Sequence, residues 1–152
     1  MNIVAIDFSM ATASYDIFFS GCAATLRCKD CHNPEAWDFN CGKEWREWVS
    51  KITKDINEYG SMVSKFFLLG GEPLDQDHRE FEIFVNFLKN FGKEIWLFTR
   101  FSLEEVPGDL IDKFDYIKTG RYIPELSTTE NIQYGVSLAT SNQKIWKHGV
   151  DF

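Results

Sequence analysis

A chain of 152 residues with 44% hydrophobic and 16% aromatic content can bury a substantial core of its own, which argues against disorder. Its 23 acidic against 16 basic residues give a net charge of −7, and with no Lys/Arg cluster to neutralise phosphates this disfavours a general nucleic-acid binder. No basic n-region precedes the first apolar residues and no apolar run reaches bilayer-spanning length, so a cytoplasmic protein without a membrane partner is expected.

In chain order, residues 2–8 and 15–20 are short β-branched and aromatic runs separated by polar residues 9–14, which predicts two strands. The second ends at Ser20-Gly21 and opens into a stretch, 18–37, that holds Cys22, Cys28 and Cys31. Over 43–59 the period becomes helical, with Trp45, Trp48, Val49, Ile52, Ile56 and Tyr59 on one face and Gly60 as the stop. Residues 63–69 form a nearly unbroken apolar run, the pattern of a parallel strand covered on both faces, and end at Gly70-Gly71-Glu72-Pro73. A second helix is predicted over 77–91, with Phe81, Phe84, Val85, Leu88 and Phe91 inward and Gly92 as its stop.

A strand over 95–99, a weaker helix over 102–114 interrupted near Pro107-Gly108, and a strand over 116–119 follow. The order βαβαβαβ predicts an α/β fold with a mostly parallel sheet, right-handed crossovers, and the loops after Ser20, Leu69, Phe98 and Lys118 on one edge. Beyond Arg121 comes a polar stretch, then short runs at 134–138 and 143–146 joined by 139–142, which predicts a terminal hairpin. Without repeats or linkers, residues 1–152 are expected to form one domain.

The spacing C-x5-C-x2-C lets three thiolates converge on one soft metal, iron or zinc. A structural zinc site closes with four protein ligands. Here the fourth would come from His32, which directly follows Cys31 and fits poorly, or from Cys41, His78 or His148. Cys41 reads more simply as a free thiol, and His78 and His148 as surface or capping residues. Glycines at a strand's carboxyl end leave backbone amides and carbonyls uncovered, so Gly70 and Gly71 can approach a ligand while Glu72 holds a cation. Thr99-Arg100, Lys118-Thr119 and Arg121 stand at predicted strand ends and could bind a carboxylate or ribose. No Ser/His/Asp or paired-carboxylate constellation is present.

A strand entering Ser20-Gly21-Cys22, a cysteine triplet followed by His32-Asn33-Pro34-Glu35 and Trp37, and the Gly70-Gly71-Glu72-Pro73 turn together resemble the radical S-adenosylmethionine (SAM) enzymes that activate glycyl-radical proteins. The run from Asp115 through Gly120-Arg121 to Ile123 and the tail Ser141-Asn142-Gln143-Lys144-Ile145 extend the likeness to the short activating proteins of anaerobic ribonucleotide reductases. The resemblance implies a partial radical SAM-type β/α barrel and a 4Fe-4S cluster on Cys22, Cys28 and Cys31, its fourth iron left for SAM. Gly70, Gly71 and Glu72 would receive the methionine amino group, His32 and Asn33 would lie near the adenine, and Thr99 and Lys118 join the cofactor-binding set.

The implied activity is that of an oxidoreductase. SAM is cleaved reductively, and the resulting 5′-deoxyadenosyl radical takes a hydrogen from a glycine of an anaerobic ribonucleotide reductase. A low-potential donor such as a flavodoxin would supply the electron. The chain departs from the family's usual C-x3-C-x2-C by two residues in the 23–27 segment, and carries Asp30 where many members have an aromatic. A radical SAM enzyme acting on another glycyl-radical protein or a small molecule, and a non-catalytic zinc-binding interaction module, are the alternatives.

Overall fold

The computed structural model describes residues 1–31 and 33–152. Strands β1 (Asn2–Ser9) and β2 (Ser14–Phe19) lie antiparallel, with Phe8 opposite Tyr15. The reversal between them places Ala13 at φ 51°, a left-handed residue suited to a tight turn. A two-residue strand β3 (Lys43–Glu44) then pairs with the outer side of β1. Helix α1 (Val49–Tyr59) leads to β4 (Lys65–Gly70), α2 (His78–Lys89) to β5 (Glu94–Phe98), and the one-turn helix α3 (Gly108–Ile111) to β6 (Tyr116–Thr119).

Strands β7 (Ile132–Gln133) and β8 (Val136–Ser137) form a small hairpin, and β9 (Lys144–Lys147) returns to the main sheet. The seven-stranded sheet runs β3-β1-β2-β4-β5-β6-β9. Its centre, β2-β4-β5-β6, is parallel, and its flanks are antiparallel. The architecture is therefore α/β with an open, mixed sheet.

The alternation of side chains along each strand decides which layer they join. Tyr15, Ile17, Phe19, Phe66, Leu68, Ile95, Leu97 and Ile117 face α1 and α2 and form the main core with Ile52, Ile56, Phe81, Phe84, Val85 and Leu88. Each such fully buried apolar side chain contributes roughly 2 kcal/mol. Phe67, Trp96, Tyr116 and Ile145 point to the other face, where Val136 and Leu138 of the C-terminal segment pack with them. Among the described residues no helix is long and apolar enough to cross a membrane.

Three expectations are corrected. The helix predicted over 43–59 starts later: Lys43 and Glu44 are recruited to β3, and Trp45–Trp48 is a tighter 3-10 turn on which the Glu44 carboxylate accepts the Arg46 N–H at 2.9 Å. The helix predicted over 102–114 shrinks to a 3-10 turn, Leu103–Glu105, and α3, because Pro107 holds Val106 extended.

The terminal hairpin between 134–138 and 143–146 does not form. Tyr134 and Gly135 both take positive φ, 48° and 77°, so the reversal falls on them and β8 pairs with β7. That frees β9 to cover the outer edge of β6.

Candidate functional site

Parallel strands in register bring their carboxyl ends together, and β2, β4, β5 and β6 end side by side at Phe19, Gly70, Phe98 and Thr119. The turns leaving these ends surround an open cavity of about 230 Å³. Cys22, Cys28, Cys31, Asn33, Gly70, Gly71, Glu72, Thr99 and Lys118 all line it. The remaining candidate, His32, lies outside the described residues. Arg100, Arg121, Trp37 and Gln143 complete much of the wall.

The two glycine turns are packed against each other, which explains why glycine stands there. Gly71 lies so close to the carbonyls of Gly21 and Ala36 that a Cβ would collide with both, and Gly70, at φ 111°, abuts the Phe19 backbone. Hydrogen bonds lock this contact. The Gly71 N–H donates to Phe19 O at 2.9 Å and the Glu72 N–H to Gly21 O at 2.8 Å. On the other side, Gly21 N–H donates to Ala36 O at 2.7 Å and Cys22 N–H to Trp37 O at 3.3 Å. The first cysteine is thus fixed between the β4 turn and the segment after Cys31.

Glu72 is 1% exposed. Such a burial is tolerable because its carboxylate accepts the Thr99 hydroxyl at 2.7 Å, the Arg100 N–H at 2.8 Å and the Leu74 N–H at 3.1 Å. Burial still pushes its pKa upward, against those hydrogen bonds and the nearby Arg100. Lys118 donates from Nζ to Gly120 O at 2.8 Å, and burial lowers its pKa to about 8 although Glu72 and Cys28 favour its charge. The Arg100 guanidinium grips Asp75 through Nη2 at 2.9 Å to both oxygens, lies over the Phe101 ring, and keeps a buried Nε without a hydrogen-bond partner.

The 23–27 segment is tied at three points. Ala23 N–H donates to Asp75 at 2.7 Å, Arg121 donates to Leu26 O at 2.8 Å, and the Arg27 guanidinium sits 4.5 Å from the Trp37 ring centroid. Asp30 adopts φ 56°, a left-handed conformation that Asp tolerates better than an aromatic.

All four cysteines are free and half-buried. Cys41 turns its thiol to the carbonyls of Asp38 and Glu35, at 2.9 and 3.3 Å. His78 and His148 face Asp109 and Asp112. None of these three is among the residues that line the cavity.

Among the described residues no three Cys, His, Asp or Glu side chains are gathered closely enough to hold a metal ion. Cys22, Cys28 and Cys31 are neighbours around one space without forming a closed tripod. Their chemistry suits an iron–sulfur cluster, since they are three free sulfur donors lining one cavity. Asp75 and Gln143 escaped the sequence reading. The signal for Asp75 was its place in the turn opened by Glu72-Pro73; Gln143 lay within a tail already noted for its resemblance.

The family described as 4Fe-4S single cluster domain matches residues 13–146. A protein of Salmonella typhimurium named anaerobic ribonucleoside-triphosphate reductase-activating protein is 27% identical over 128 residues, covering 80% of this chain and 82% of its own. Proteins of the same name from Escherichia coli K12 and O157:H7 are 26% identical over the same shares.

Proposed function

Because this chain belongs to the 4Fe-4S single cluster domain family, we propose that it is a radical SAM activase whose partner is a glycyl-radical protein, in the first place an anaerobic ribonucleotide reductase. The observation that carries this reading is the meeting of Cys22, Cys28 and Cys31 with Gly70, Gly71 and Glu72 around one cavity at the ends of parallel strands. The relatives' name supports the choice of partner. When bound, the cluster and SAM together supply a 5′-deoxyadenosyl radical able to remove a hydrogen from a glycine Cα.

The chain's own residues hold and orient. Cys22, Cys28 and Cys31 would ligate the cluster, with Cys22 held by its neighbours. Gly70, Gly71 and Glu72 would receive the methionine amino group, the Glu72 carboxylate being already oriented by Thr99. Lys118 offers a cation to the methionine carboxylate, and His32 and Asn33 border the adenine.

The fold is a cut-down radical SAM barrel, one domain over 1–152, whose open sheet leaves a side for a protein substrate to cover. The reading also calls for a cytoplasmic location and a low-potential electron donor such as a flavodoxin. Cys41 stands outside the cavity lining, which favours three protein ligands over a closed zinc site.

Incubating the reconstituted protein with SAM, reductant and an anaerobic ribonucleotide reductase is expected to give a glycyl-radical doublet by EPR. A loaded, SAM-cleaving protein that produces no such doublet would redirect the reading to another glycyl-radical partner or a small molecule.

A further inference from the structure

Two other segments meet on the carboxylate of Asp75. Oδ2 accepts the N–H of Ala23, the peptide directly after Cys22, at 2.7 Å. Arg100, from the turn after β5, donates to both oxygens at 2.9 Å and stands 3.8 Å from Glu72. The Asp75 side chain is only 9% exposed, so this is not the solvated ion pair that contributes little.

Cys22 is consequently held from both sides, by its own N–H on Trp37 O and by the following N–H on Asp75. Further along the loop the ties differ in kind: Arg121 reaches one carbonyl, at Leu26, and Arg27 leans on Trp37. A five-residue spacer between the first two cysteines has more conformations to restrain than a shorter one, so the fixity of its first peptide matters more.

We propose that Asp75, backed by Arg100, is the positioning residue of the cysteine loop, fixing Cys22 as the anchored thiol of the three. This rests on the reading of the three cysteines as cluster ligands. A structural ion pair alone would change thermal stability and nothing else.

Two readouts separate these roles. In the cluster-free chain, Asp75→Ala is expected to speed amide exchange at Ala23 about tenfold, the loss of one charge-assisted hydrogen bond, while Gly21, bonded to Ala36, exchanges as before. In the reconstituted chain, the same variant is expected to release iron to a chelator roughly tenfold faster and to alter the EPR line shape of the reduced cluster. Asp75→Asn, which keeps one carbonyl acceptor, should recover part of both and serves alone if the alanine variant does not fold.

Unchanged Ala23 exchange would overturn the proposal. So would wild-type iron release and line shape in a variant whose melting temperature has merely fallen. If even the wild-type chain takes up no iron and sulfide, the functional reading fails, and Ala23 exchange still decides whether Asp75 anchors the loop.

Discussion

At the scale of single residues, the site is built from positions where a small change meets rigid neighbours. Gly71→Ala would push a methyl into the carbonyls of Gly21 and Ala36, backbone atoms that cannot swing aside. Overpacking of this kind costs roughly 2 kcal/mol, read as a lower urea midpoint; an unchanged midpoint would show that the two turns are not in contact. Glu72→Gln replaces one carboxylate oxygen by an NH2 that faces the Thr99 hydroxyl or the Arg100 N–H, and losing one of those acceptors should destabilise the fold by about 2 kcal/mol.

Lys118 gives a pH signature. Its folded-state pKa, about 8, lies below its ordinary value of 10.5. Across that window the unfolded chain binds the extra proton, so stability rises with pH between the two values. Denaturant titrations of the cluster-free chain should show Lys118→Met losing that rise; an identical slope in both proteins would mean that Lys118 is not held in a buried setting.

At the scale of elements, α2 carries the inward stripe that its sequence announces. Phe84 is fully buried against Phe19, Trp45 and Phe87, whereas its neighbour Ile83 is 41% exposed. Phe84→Ala should cost about 4 kcal/mol and Ile83→Ala less than about 1 kcal/mol, measured as chemical-denaturation free energies. Comparable losses would mean that the helix is rotated on the sheet.

The elements that were legible are those whose period is enforced by a packed face: α2 from Phe81, Phe84, Val85 and Leu88, and β4 from its apolar run. The elements that were not legible are decided by partners distant in sequence. β9 pairs with β6 because that edge was bare, and Lys43-Glu44 leaves the helical pattern because β1 offers it an edge. The Tyr134-Gly135 reversal was readable in principle, since Gly at the second position of a two-residue turn is a hairpin signal; an aromatic at the first position hid it.

At the scale of the whole molecule, an acidic chain gathers Arg100, Lys118 and Arg121 around the cavity that also holds three thiols. Cations there offset the negative charge that bound thiolates and a cluster would carry. That grouping follows from the parallel centre of the sheet, which the alternating pattern foretold, and from ties such as Asp75 to Ala23 that spacing could not foretell. Cysteines and glycines stood out because their chemistry and backbone freedom are rare; Asp75 did not, since its role depends on two partners from other turns.

The central claim is that three of the four cysteines hold a cluster that cleaves SAM, and it is tested most directly by anaerobic reconstitution with iron and sulfide, followed by strong reductant, SAM and quantification of 5′-deoxyadenosine. The account predicts a brown, oxygen-sensitive protein that forms 5′-deoxyadenosine, a Cys41→Ser variant that does the same, and a Cys28→Ala variant that lacks the intact cluster and forms none. Stoichiometric zinc in place of iron, with no 5′-deoxyadenosine under strong reductant, would contradict it.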